Sequence, residues 1–165
     1  MIESTNLCLS CGLCCDGTLI GFVRLDTKEL SDLREIKHIE EADGKGFFLQ
    51  PCDDYCDGCT IYSQRPKQCA KFKCGLLKSV EKKKVDFDSA IEVINTVKQK
   101  KEVIEKKVAK LKLELKHKSF YFKTVELKKI LQHIKYESDL SKNHQQLMSD
   151  LNALELIISE KFDLL

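Results

Sequence analysis

Residues 8–15 read C-L-S-C-G-L-C-C, and the fold depends on how these four thiols are used. Two overlapping C-x2-C steps and an adjacent pair fall in one short run. A C-x2-C step lets a tight turn aim two sulfurs at one ion while the intervening amides point back at them, and Gly12 permits the backbone conformations such turns need. Adjacent side chains diverge in most backbone conformations. The pair Cys14-Cys15 therefore points to two metal centres, or to one cluster with several metal atoms.

The other half of the constellation is P51-C-D-D-Y-C-D-G-C-T-I-Y-S-Q-R-P-K-Q-C-A-K-F-K-C74, with thiols at Cys52, Cys56, Cys59, Cys69 and Cys74. Nine cysteines are an odd number and cannot all pair internally. The opening MIESTNLCLS lacks the basic start and apolar stretch of a signal peptide, and no 18 apolar residues run together anywhere. The expectation is a cytoplasmic, soluble protein whose thiols bind metal rather than form disulfides. Zinc takes four tetrahedral ligands, so these thiols would supply two closed sites. Cys8, Cys11 and Cys14 also reproduce the first three ligands of the bacterial ferredoxin run, although its fourth cysteine and following proline are missing. Spacing leaves zinc, iron and an iron–sulfur cluster open.

Between the two cysteine groups, Leu19–Leu25 is short and β-favouring. Asp26 and Glu29 then form a capping box, with Leu25 and Leu30 as its staple. Leu30, Leu33 and Ile36 continue one helix face to about Lys37. The acidic, glycine-bearing stretch 40–46 ends it before a second strand at Phe47–Gln50. If the cysteine groups share a site, the first strand leaves it and the second returns to it, so neighbouring strands must run antiparallel.

All seven glycines and both prolines lie in residues 1–80, and residues 81–165 lack both. The boundary separates a cysteine-cluster module, 1–80, from a helical region, 81–165, with the EKKKVD stretch at 81–86 as a solvated connector. Ser89 and Glu92 read as a capping box. Ile91, Ile94, Val97, Ile104, Val108, Leu111 and Leu115 form a stripe that Lys101 interrupts. After H-K-S-F-Y-F-K-T at 117–124 breaks the pattern, Leu127, Ile130, Leu131 and Ile134 mark a shorter helix that stops around 138–143. Leu147, Leu151, Leu154 and Ile158 give a narrow seam suited to another helix. The predicted class is α+β: a small metal-binding module with a short antiparallel strand pair and one helix, then a helical hairpin or three-helix element.

Charge narrows the function. Twenty-eight basic side chains against 26 acidic ones leave +2, which implies no attraction to nucleic acid or to a membrane surface. No Ser-His-Asp array, phosphate-binding glycine loop or H-E-x-x-H is present. His38, His117, His133 and His144 are scattered and read as structural or exposed, and Phe120, Tyr121 and Phe122 read as a helix-junction core. The C-x3-C-x2-C spacing of Cys52, Cys56 and Cys59 matches that of radical enzymes using S-adenosylmethionine, but only a lysine-rich helical segment follows where their barrel would stand.

Taken as a composite, residues 6–74 resemble the YkgJ-like cysteine cluster proteins, a zinc- or iron-chelating type. The motifs are C-x2-C-G-x-C-C at Cys8–Cys15, F-L-x2-C at Phe48–Cys52, C-x-I-Y-x2-R-P-x2-C at Cys59–Cys69, and F-x-C at Phe72–Cys74. The resemblance implies eight metal ligands, Cys8, Cys11, Cys14, Cys15, Cys52, Cys59, Cys69 and Cys74, and leaves Cys56 as an additional thiol. Related clusters occur in bacterial proteins associated with flagellin lysine methylation, where an iron–sulfur role is inferred. Pro66 is expected to hold Arg65 extended, and Tyr62 and Phe72 to shield the sulfurs. Arg65, Lys67, Lys71 and Lys73 would offset the charge that eight thiolates leave on two divalent ions, about −4.

Two functions follow as expectations. The chain is a zinc or iron protein whose helical region binds a protein partner or a second copy of itself. Alternatively, it is an iron–sulfur redox or accessory subunit of a protein-modifying oxidoreductase or methyltransferase-like system.

Overall fold

The computed structural model describes residues 2–42, 44–137 and 141–164. The expected helix stop at 138–143 lies partly outside them. Helix α1 (Ile2–Cys11) leads through turns to strand β1 (Phe22–Arg24), a 3-10 turn at Thr27–Glu29 and the short helix α2 (Leu30–Arg34). Strands β2 (Glu40–Ala42) and β3 (Lys45–Leu49) follow, and then helices α3 (Lys67–Lys71) and α4 (Gly75–Glu81). Three longer helices complete the chain: α5 (Phe87–Lys110), α6 (Phe120–Glu137) and α7 (Lys142–Phe162).

The expected antiparallel strand pair is present, β1 against β3 with Val23 opposite Phe48. The structure adds β2 to its other side, giving the order β1-β3-β2. Glu40, Glu41 and Ala42 are all exposed. Main-chain pairing to β3 rather than apolar side chains makes this strand, which is why a pattern search reads it as loop. The Asp26 carboxylate accepts the Lys28 amide as a cap, but the turn it starts is 3-10, and the helix behind it ends at Arg34, short of Lys37.

The N-cap of α5 is Asp86, three residues before Ser89, and its side chain accepts the Ser89 amide. Its stripe is buried at Ile94, Val97 and Ile104. The α7 seam is buried at Leu147, Leu151, Leu154 and Ile158, and also at Phe162. Lys107 of α5 pairs with Asp150 of α7, and Gly75 at the start of α4 lies against Asp163 just beyond the end of α7. Lys128 of α6 pairs with Glu155 of α7.

Phe120, Tyr121 and Phe122 open α6 instead of preceding it. Phe120 is buried, the Tyr121 amide donates to the Gly17 carbonyl at 2.7 Å, and the Phe122 ring lies where a side chain on Gly21 would stand. The helical core thus reaches the cysteine segment: Leu7, Leu13, Leu19, Leu76, Leu77 and Val80 belong to the same apolar cluster as the α5 and α7 seams. A second, smaller cluster of Val23, Leu25, Leu33 and Phe48 lies under the sheet.

Candidate metal centre

Cys8 and Cys11 lie one helical turn apart on α1, so a helix face, not a loop, presents them. The helix ends at Gly12, whose φ of +68° suits glycine and whose missing side chain leaves room for the Tyr55 phenol. Turns closed by Asp16 N–H to Gly12 and by Thr18 and Leu19 N–H to Leu13 then present Cys14 and Cys15. The Cys52 amide donates to the Cys15 carbonyl at 2.7 Å, joining the two cysteine groups through their backbones. Cys59 closes a loop by bridging to Tyr55. Arg65 is extended before Pro66 (φ −61°, ψ 149°), as expected, and the chain then enters α3 with Cys69. Cys74 is the N-cap of α4.

These segments enclose a cavity of about 370 Å³ lined by Cys8, Cys11, Cys14, Cys15, Cys52, Cys59, Cys69 and Cys74 together with Tyr62 and Phe72. All nine cysteines are free thiols. Cys56 is exposed and outside that lining, so the triad Cys52, Cys56 and Cys59 does not face one point. The four histidines are outside the lining too. Among the described residues, no three Cys, His, Asp or Glu side chains stand close enough to hold a single ion. The thiols surround a space instead of converging on one atom.

Burial dominates their electrostatics. It pushes Cys11 and Cys15 up to about 12 and Cys69 to about 11, lifts Cys14 well above the ordinary thiol range, and raises Cys8 and Cys74. Neighbouring thiols add to the rise: Cys74 acts on Cys8, Cys11 and Cys14, whereas Cys52 and Cys59 act on Cys15 and Cys69. Such groups stay protonated and unreactive at neutral pH unless a cation enters to stabilise the thiolates.

Two cationic side chains already reach the site. The Arg65 guanidinium stacks 3.7 Å above the Tyr62 ring, and its charge lowers both Cys8 and Cys69. Its Nε is buried without a hydrogen-bond partner, an unused donor on a side chain that lines the cavity. The buried Lys37 side chain, 2 % exposed, donates to Cys52 Sγ at 3.2 Å and pairs with Asp54 at 2.5 Å. Burial opposes its charge, but these hydrogen bonds outweigh burial and hold the amine above its usual range. Lys73 also lines the cavity, whereas Lys67 and Lys71 do not.

Sequence reasoning missed Lys37 and Tyr55. The available signal for Lys37 was its place four residues after the buried Leu33, on the apolar side of the turn. Tyr55 gave none, because its partner Gly12 is remote in sequence.

The donor set fits a thiophilic metal: eight thiols, an unpaired Arg Nε–H and a buried ammonium face one space. No curated protein and no solved structure matches the chain. A family model does match, over residues 7–90, just over half of the sequence. With its cysteines gathered around one cavity, the chain belongs to the CxxCxxCC family, described as a "putative zinc- or iron-chelating domain".

Proposed function

We propose that this protein binds zinc or iron through Cys8, Cys11, Cys14, Cys15, Cys52, Cys59, Cys69 and Cys74, with residues 81–165 holding that module in shape. The observation that carries the reading is the meeting of all eight thiols on one cavity from segments up to 66 residues apart in the chain. Metal entry would turn buried thiols into thiolates and release their protons, and Arg65, Lys37 and Lys73 would offset part of the resulting charge. A reducing, cytoplasmic compartment suits free thiols of this kind. The α7 seam is buried within the chain, which supports a scaffold role for the helices. A protein partner or second copy would be left with exposed apolar side chains such as Val103 and Leu156.

The cavity also supports a second reading, because eight thiols line it and, among the described residues, no three of them stand within reach of a single ion, whereas zinc–sulfur bonds of about 2.3 Å draw four sulfurs tightly together. A polynuclear iron–sulfur cluster holds its thiolates farther apart and would supply electron transfer, alone or as the redox part of a protein-modifying system.

Anaerobic purification followed by metal and acid-labile sulfide analysis tests both. Zinc in a colourless protein supports the first reading, and brown protein with iron and sulfide supports the second. A chain without metal or sulfide after this treatment overturns both.

A further inference from the structure

We propose that the eight thiols form two separate four-sulfur centres, Cys8, Cys11, Cys14 and Cys74 in one and Cys15, Cys52, Cys59 and Cys69 in the other. The assignment rests on the metal-chelating reading and divides the adjacent pair between the centres. Its first support is packing. Cys11, Cys14 and Cys74 lie against the helical core, whereas Cys52 and Cys69 lie against the small core under the sheet. The supporting elements follow the same division: α1 packs on α4, bringing the Cys8 and Cys11 face to Cys74. On the other side α3, with Cys69, packs on β1, where Gln68 Oε1 accepts the Arg24 amide at 2.7 Å. Cys15 is tied to Cys52 by their backbone hydrogen bond.

Local chain closure agrees. Cys59 stays on the Cys52 side, because the Tyr55–Cys59 bridge and the Thr60 amide donating to the Asp54 carbonyl at 2.9 Å close the loop between them. Lys37 contacts a sulfur of the second set, Cys52. The centres are therefore inequivalent, one bearing a buried ammonium at hydrogen-bond distance from a ligand.

The test compares double variants of the full chain. Each is purified anaerobically, and its metal-free form is loaded in parallel with zinc alone or with ferrous iron and sulfide. Metal content per chain is read together with far-UV circular dichroism. C8S/C74S and C59S/C69S should each keep half the wild-type content, whereas C8S/C59S, which takes one ligand from each set, should keep little. Loss of the whole content from either within-set pair, or half retained by the cross pair, overturns the division. If a within-set pair loses helicity, the single variants Cys74→Ser and Cys59→Ser replace it, each expected to fall toward half; no fall in either overturns the division. A wild-type chain that takes up no metal fails the chelating reading itself, an outcome distinct from wild-type uptake with the wrong division.

Discussion

The sheet region and the helical region are held together by different means. Under the sheet the buried apolar cluster is Val23, Leu25, Leu33 and Phe48, and the long stretch from Pro51 to Phe72 adds few buried side chains to it. The helices share a continuous core running from Leu7 through Ile94 and Ile104 to Leu151 and Phe162. Apolar burial is the main favourable contribution to folding, and ordering the backbone is the main cost. The helical region meets that cost with its seams, whereas the sheet region must draw on another source, which the thiols around its cavity would provide once metal is bound. The difference teaches where stability should be metal-dependent and where it should not.

Metal removal should therefore separate the two regions, and it is the largest effect expected. A chelator with reductant should lower hydrogen-exchange protection in residues 45–72 while leaving that of residues 90–104 and 147–158 largely in place. Equal protection in both regions after complete metal removal would break the comparison.

Leu151→Ala strikes the other side. Leu151 is fully buried between α7 and α5, so the cavity left behind should cost about 2–5 kcal/mol in denaturant unfolding. The metal content of the folded fraction should be unchanged.

Alkaline pH sharpens the contrast further. In the metal-free protein the buried thiols ionise above the usual value of 9.0, at about 11 for Cys69 and about 12 for Cys11 and Cys15. The unfolded chain thus releases these protons first. Their contribution to stability is complete below pH 9 and is lost as pH rises through 11–12. Urea midpoints of metal-free protein should fall over that range, and metal-loaded protein, with its thiolates already formed, should resist. Metal affinity should rise with pH below it, because binding releases protons.

Lys101 joins the regions, and its removal should have a smaller effect. Its ammonium pairs with Asp16 at 2.9 Å, both partly buried, and lies 5.4 Å from the Phe120 ring centroid. Lys101→Met should destabilise by about 1 kcal/mol and lower the protection of residues 13–19. Cys56→Ser should change neither metal content nor stability measurably, since that side chain is exposed and outside the cavity.

Much of this was legible in the sequence, for identifiable reasons. The α7 seam and the middle of the α5 stripe, Ile94, Val97 and Ile104, repeat at helical intervals and are buried as read, whereas Leu111 and Leu115 fall beyond the helix, which ends at Lys110. The antiparallel direction of β1 and β3 followed from both ends having to meet one site. Cys8 and Cys11 misled, because a C-x2-C step has the spacing of a helical turn as well as of a loop, and α1 is the helical case. Lys101 looked like a flaw in the stripe because its partner Asp16 lies 85 residues away. The same holds for Tyr55 on Gly12 and Lys37 on Cys52. Long-range pairing leaves no periodic mark in a chain.

Gly75 touches Phe162 and Asp163, so the helix capped by Cys74 is backed by the end of α7. A ribosome would release Cys15, Cys52, Cys59 and Cys69 long before it reaches residue 162. On the division proposed above, one centre can load while the chain is still growing. The other must wait until the end of α7 has emerged, which makes metal capture sequential.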